Sequence, residues 1–254
     1  VTSDHHRFEQ LSPEGYGPET YGDRIADVYD ALYSGLNTEA AVECLAALAG
    51  DGPVLELAIG TGRLALPLAE RGLEVHGIDA SEAMVAKLRE KPGGDAIPVT
   101  IGDFADVGVD GRYSLIFVGF NTFFALLTQE DQLRCFANVA ERLADGGVFA
   151  LEAFFPDLAR FDRGQRVQLT RLDPDEVMLD ASHHHPIEQR IESNHIVLTE
   201  QGIRFYPVNL RYAFPPEIDL MARLAGLELK ERWGGWGREP FTEDSPRHVS
   251  VYGR

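Results

Sequence analysis

The sequence predicts an α/β domain: a mainly parallel seven-stranded sheet with helices on both faces, carrying a small antiparallel β insert. Two observations predict it. Between Gly52 and Phe155, short apolar runs alternate with amphipathic stretches, and strands alternating with helices imply parallel pairing through right-handed crossovers. Beyond Phe161 that rhythm stops, and four strand-like runs follow with no helix between them, which points to antiparallel pairing.

Taken in order, residues 1–20, with Pro13, Gly15, Gly17 and Pro18, are expected to be mobile. Residues 21–48 have a helical pattern that includes Tyr21, Tyr29 and Tyr33. Residues 54–57, 73–78, 97–101, 113–118 and 148–153 read as buried strands, and 64–71, 82–91 and 129–143 as helices. Ser81 and Thr128 are expected N-caps, and Thr128-Gln-Glu-Asp131 resembles a capping box. Gly146-Gly147 is expected to end the third of these helices. The insert, 161–214, holds strands 167–172, 177–182, 189–198 and 203–212, the last two joined at Gln201-Gly202. The chain then returns to helix at 217–225, stopped by Gly226. Segments 227–233 and 248–252 close the sheet as an antiparallel pair. The expected division is therefore a ligand-binding domain of 21–160 and 215–254, with 161–214 as its lid.

Composition narrows the partners. The formal charge is −18, from 41 acids against 23 bases. Nucleic-acid binders need a basic face for phosphates, and no Lys/Arg run supplies one, so nucleic acid and membranes are not expected partners. A neutral or cationic small molecule fits the field better. No apolar run approaches a membrane span, and the polar residues 1–10 do not read as a signal peptide, so a cytoplasmic location is expected. Cys44 and Cys135 sit in apolar helical patterns and read as buried hydrophobes.

The chemistry gathers at strand ends. Val54-Leu-Glu-Leu-Ala-Ile-Gly60-Thr-Gly62-Arg-Leu-Ala65 runs from a buried strand through a glycine turn into a helix, whose N-terminus offers free N–H groups. Gly60-x-Gly62-x-x-Ala65 also fits a dinucleotide fingerprint, so a nicotinamide oxidoreductase is an alternative. Glu56 argues against it: a carboxylate there would repel a pyrophosphate and suit a ligand carrying ammonium and sulfonium charges. It could instead brace the loop. Asp79 ends the second strand, at the spacing of an acid that accepts both ribose hydroxyls, or it caps the helix after Ser81. Asp103 follows the third strand, where it could accept from an adenine amino group while Phe104 packs on the ring. Three acids after three consecutive parallel strands would share the carboxyl edge of the sheet, where ligands bind.

The series Glu56…Gly60-Thr-Gly62, Asp79 and Gly102-Asp103-Phe104 resembles the Rossmann-like (class I) S-adenosylmethionine-dependent methyltransferases. Phe117-Val-Gly-Phe-Asn-Thr-Phe-Phe124 and Leu143-Ala-Asp-Gly-Gly-Val-Phe149 match later motifs of that family. The resemblance implies S-adenosylmethionine as cofactor, with Ala58 and Gly60 meeting its methionine part and Asp79 its ribose. It implies Ala80 and Met84 along the adenine, Asp103 and Phe104 at its edge, and Phe120 and Asn121 facing the methyl. Tyr29 resembles an N-terminal tyrosine that covers the cofactor, and both it and Tyr33 could equally be core residues. Ala58 departs from the family's usual glycine, which matters little if its backbone is ordinary. The insert resembles the roof of small-molecule enzymes such as amino-sugar N-methyltransferases, and a homodimer is implied too. A non-catalytic S-adenosylmethionine binder remains a second alternative.

The acceptor side is less legible. His183-His184-His185 and His195 stand out. His183 and His185 share a face if the strand continues through them, and Pro186 makes a turn an equal reading. A metal is not expected, since adjacent strand residues point to opposite faces. His185 is the expected base for an oxygen acceptor, with Glu152, at the end of the fifth strand, in reserve. His183, Tyr33, Asn121, Arg211 and Trp236 are expected substrate contacts, although Arg211 would also serve as an internal ion pair. The acceptor's identity, and whether it offers nitrogen or oxygen, stays open.

Overall fold

The computed structural model describes residues 16–36 and 38–254. Two helices, α1 (Thr20–Leu32) and α2 (Glu39–Ala49), precede the sheet. Then come β1 (Val54–Leu57), α3 (Ala65–Glu70), β2 (Val75–Asp79), α4 (Glu82–Arg89) and β3 (Val99–Ile101). β4 (Tyr113–Val118), α5 (Gln129–Arg142) and β5 (Leu143–Phe154) complete the parallel part. The insert follows as β6 (Gln165–Leu172), β7 (Glu176–His185), β8 (Arg190–Thr199) and β9 (Gly202–Arg211). The chain closes with α6 (Pro215–Leu224), β10 (Glu228–Trp233) and β11 (Arg247–Gly253).

The seven-stranded sheet has the order β10-β11-β5-β4-β1-β2-β3, and only β11 runs against its neighbours. The insert forms a separate four-stranded antiparallel sheet, β6-β7-β8-β9. Alternation along each strand splits the core in two. Leu55, Leu57, Ile116 and Val118 face α5 and α6, burying Phe136, Phe149 and Tyr252 between them. Val54, Leu115 and Phe117 face α2 and α3. The chain order reverses across β1 and β4, so a crevice opens at their carboxyl ends.

Local chemistry explains most boundaries. Ser81 caps α4, its hydroxyl accepting the Met84 N–H at 3.1 Å, and Thr128 caps α5 by accepting from Asp131 at 3.0 Å. The helical span expected before the sheet is two helices, the first ending at Leu32 and the second starting at Glu39. α5 stops at Arg142, earlier than the glycine pair suggests, and Gly146-Gly147 lie inside β5, where the pairing with β4 is irregular. A side chain at Gly147 would meet the Tyr113 carbonyl at 2.7 Å. In the insert, β7 continues through all three histidines, and the turn falls after them. Residues 1–15, most of the segment expected to be mobile, lie outside the described residues. No helix among the described residues is long and apolar enough to cross a membrane.

Candidate active site

The crevice is a cavity of about 280 Å³ lined by Glu56, Asp79 and Asp103 together, with Ala58, Gly60, Ala80, Met84, Phe104 and Phe120 around them. The three strand-end acids thus converge on one space. Their surroundings differ. Asp79 holds two loops at once: Oδ2 accepts from Gly60 N–H at 2.7 Å and Oδ1 from Ser81 N–H at 2.8 Å. Burial raises its carboxyl, and these two bonds pull it back only partly. Each oxygen keeps a second lone pair for a diol. Asp103 accepts from Ala105 N–H at 2.9 Å and lies 3.8 Å from Arg134.

Glu56 is the outlier. It is 5% exposed, and its Oε2 is buried with no hydrogen-bond partner in the protein. Burial pushes its pKa up to about 8, with Arg63 pulling the other way, Asp79 adding to the rise, and the Ala65 N–H at the start of α3 lowering it. An orphaned carboxylate oxygen at a lined cavity is expensive unless a partner arrives. A cationic ligand is the partner that would satisfy it.

The glycine turn is built for close approach. Gly62 has φ +80°, and a Cβ there would lie 2.4 Å from Leu88. Ala58 corrects the expectation of an ordinary backbone: its φ is 55°, in the left-handed region where alanine is strained. Phe120 is strained in the same way, at φ 58°. Its N–H donates to Glu152 Oε2 at 2.6 Å, which fixes that conformation. Asn121 Oδ1 accepts from Phe154 N–H at 2.8 Å. Glu152, near the end of β5, and Asn121, beyond β4, therefore both brace backbone.

Helix α1 covers the crevice. Tyr21 and Tyr29 line it, and the Tyr21 and Tyr33 hydroxyls lie 3.0 Å apart. Tyr33 stands edge-on to Phe120, with ring centroids 5.6 Å apart. Burial raises both Tyr29 and Tyr33. Three acids clip the helix down. Asp23 accepts from Ser81 Oγ at 2.6 Å, Asp27 pairs with Lys87 at 3.1 Å, and Asp30 takes Thr61 Oγ1 at 2.7 Å and Lys91 at 2.6 Å. Gly22 lets the helix sit this close, since a Cβ there would be 2.5 Å from Ser81 Cβ. Arg63, 5.9 Å from the Phe120 ring centroid, also lines the crevice.

The remaining expected residues lie elsewhere. His183 and His185 share a face of the insert sheet, Nδ1 to Nε2 at 3.0 Å, and His185 lies 3.4 Å from Glu192. That face also carries the exposed Val167 and Leu169. Arg211 makes the internal ion pair that is the other reading of its charge. It is 5% exposed and bonded to Gln132 at 2.6 Å, Gln189 at 3.1 Å and Glu217 at 2.7 Å. Its charge and donors are spent joining the insert to α5 and α6. Trp236 packs on the core cluster beside α2 and α3, away from the crevice lining. Sequence reasoning missed Arg63 and the clip. The Asp23, Asp27, Asp30 spacing of four and three is its legible signal, because such residues share one helix face.

The family described as "Methyltransferase domain" matches residues 54–147. The solved CcbJ methyltransferase from Streptomyces caelestis is 44% identical, over 93% of this chain and 98% of that one, with a TM-score of 0.88. The chain belongs to the S-adenosylmethionine-dependent methyltransferases. The cypemycin N-terminal methyltransferase of a Streptomyces species is 29% identical to it, over 93% of this chain and 98% of the relative. The S-adenosylmethionine-bound CalS10, an amino pentose methyltransferase from Micromonospora echinaspora, shares the fold at TM-score 0.64 and 24% identity, over 88% of this chain and 96% of that one. As a methyltransferase crevice the site is chemically apt. The orphaned Glu56 oxygen suits an ammonium and a sulfonium, and the free lone pairs of Asp79 suit a ribose diol. The nicotinamide alternative finds no support.

Proposed function

We propose that this methyltransferase places its methyl group on the nitrogen of a small amine. What carries this reading is the aromatic lining of the crevice. Tyr21, Tyr29 and Phe120 line it, with Tyr33 edge-on to Phe120 outside the lining, in a chain of charge −18. Aromatic faces and a negative field favour a cationic amine over a phosphate or a neutral alcohol. The two polar residues flanking Phe120, Glu152 and Asn121, are bonded to backbone, as a site without a strong base for a hydroxyl would have them. The names of relatives point the same way. One acts on a peptide N-terminus, one is an amino-sugar N,N-dimethyltransferase from Saccharopolyspora spinosa, and one is an amino pentose enzyme.

The cofactor supplies a methyl group activated by a sulfonium. On this reading, Glu56 and the backbone around Ala58 and Gly60 hold its amino-acid end. Asp79 holds the ribose, and Ala80, Met84, Asp103 and Phe104 hold the base. Tyr29 and Phe120 flank the methyl. The protein's part is alignment and exclusion of water, with α1 and the insert as the roof. Incubation with methyl-labelled cofactor and a panel of amino sugars, peptides with free N-termini and their hydroxyl counterparts tests this. N-methyl products support it, and O-methyl products alone overturn it.

The same proposal places the enzyme in the cytoplasm, with neither nucleic acid nor membrane as partner, and makes it a homodimer. Exposed Val167, Leu169, Ile203 and Phe205 on the outer face of the insert sheet support the last part. Light scattering that finds a monomer at micromolar concentration would refute it.

A further inference from the structure

We infer that Asp180 and His195, paired across the inner face of the insert sheet, hold the acceptor's ammonium group and take its proton before methyl transfer. The inference rests on the amine reading above. The register defines the inner face. Met178, Asp180, Ser182 and His184 on β7 stand opposite Val197, His195, Ser193 and Ile191 on β8. At one end of this face, Met178, Val197 and Tyr206 pack with residues of α1. At the other end, Ile191 and Leu210 join the main core, and His184 bonds the Tyr212 hydroxyl at 2.8 Å. Asp180, Ser182, Ser193 and His195 form a polar strip between two apolar anchors, on the insert face that packs at one end against α1.

Asp180 and His195 are only partly covered, their side chains 17% and 21% exposed, so a ligand can reach them. His195 Nδ1 lies 3.1 Å from Asp180 Oδ2, and the alignment falls short of a hydrogen bond. Ser182 donates to Asp180 and accepts from Ser193 at 2.9 Å. With Nδ1 turned to Asp180, Nε2 remains for a ligand. Burial alone would raise the Asp180 carboxyl, but His195, Ser182 and the charge of Arg166 outweigh it and hold it below the usual range. The pair therefore presents a fixed negative charge behind an imidazole. The other groups near it are Tyr33 from α1, Arg160 from the turn after β5, Arg166 on β6 and Tyr206 on β9. Tyr33, which caps the end of α1, stands between the strip and Phe120, and Phe120 lines the crevice. It feels the Asp180 charge on one side and meets the Phe120 ring on the other.

The step balances. A secondary or primary ammonium gives one N–H proton to His195 Nε2, and its electron pair becomes the nucleophile. That pair forms the N–CH3 bond as the C–S bond breaks, and the departing sulfur keeps the bonding pair as a neutral thioether. The imidazolium beside Asp180 later loses its proton to water.

The test uses the full chain loaded with S-adenosylhomocysteine, a loading verified by calorimetry. N-methylglucamine is the amine probe and sorbitol its neutral counterpart. The expected result is that N-methylglucamine at about 50 mM shifts the His195 Cε1–H resonance, that sorbitol does not, and that Asp180→Asn abolishes the shift. With an amine that the panel shows to be methylated, His195→Gln should lower kcat at pH 7 by about a hundredfold, in the range of proton-transfer catalysis, and flatten the pH profile. Asp180→Asn should act mainly on acceptor KM, by about tenfold. A wild-type His195 resonance unmoved by the amine overturns the assignment even if either variant fails to fold. If amines are nevertheless methylated, only the Asp180–His195 role falls. If only hydroxyl counterparts are methylated, the amine reading falls with it.

Discussion

Cofactor binding should expel a proton from Glu56. In the structure burial lifts this carboxyl to about 8, with Arg63 offsetting part of the rise. At pH 7 such a group is about nine-tenths protonated, and at pH 9 about one-tenth. A sulfonium and an ammonium beside it favour the ionised form. If they return Glu56 to the ordinary carboxylate range, binding at pH 7 releases about 0.9 proton, and this group alone tightens binding about tenfold between pH 7 and pH 9. Calorimetry in buffers of low and high ionisation enthalpy reads the proton count as a slope. Glu56→Gln provides the reference, because the cofactor's own amino group titrates equally in both proteins. Equal slopes for wild type and variant would refute the reasoning. The sign for the unliganded protein follows from the same shift. Because the folded-state value is raised, the contribution to stability is complete below about 4.5 and is lost as pH climbs through about 8. The melting temperature of Glu56→Gln should therefore gain on wild type between pH 5 and pH 8.5.

Ala58→Gly should raise stability by up to about 1 kcal/mol, because relief of a left-handed alanine outweighs the added freedom of the unfolded chain; a loss of more than about 1 kcal/mol in chemical denaturation contradicts the strain. Asp30→Asn unlatches α1 from Thr61 and Lys91, and stopped-flow fluorescence should show cofactor dissociation speeding up by a few-fold, about what an exposed pair contributes. Arg211→Ala strips a buried ion pair, leaves Gln132 Oε1 without its donor and leaves Glu217 with only the neutral donors Gln129 and Gln189, so stability should fall by roughly 3 kcal/mol while acceptor KM stays as it was; a KM effect without destabilisation would return Arg211 to the substrate.

The α/β core was legible because its signals are local. Buried runs such as 54–57 and caps such as Ser81 and Thr128 each carry their own physics, and the acids Glu56, Asp79 and Asp103 fall at strand ends by sequence alone. What was not legible depends on pairing across distance. Which face of the insert sheet carries His185 and which carries His195 is decided by strand register, where a shift of one residue exchanges the faces. The backbone of Ala58 is set by the loop it must close, which its own identity does not reveal. Arg211 reads as a free cation until α5 and α6 bring Gln132 and Glu217 to it.

Three strand-end carboxylates should enclose one cationic nucleoside. A co-crystal structure with S-adenosylmethionine measures this directly. The ribose diol should lie on Asp79, the base beside Met84 and Phe104, and the amino-acid end within reach of Glu56 Oε2, with the methyl toward Phe120. A nucleoside bound outside this crevice, or one whose ribose avoids Asp79, would contradict it.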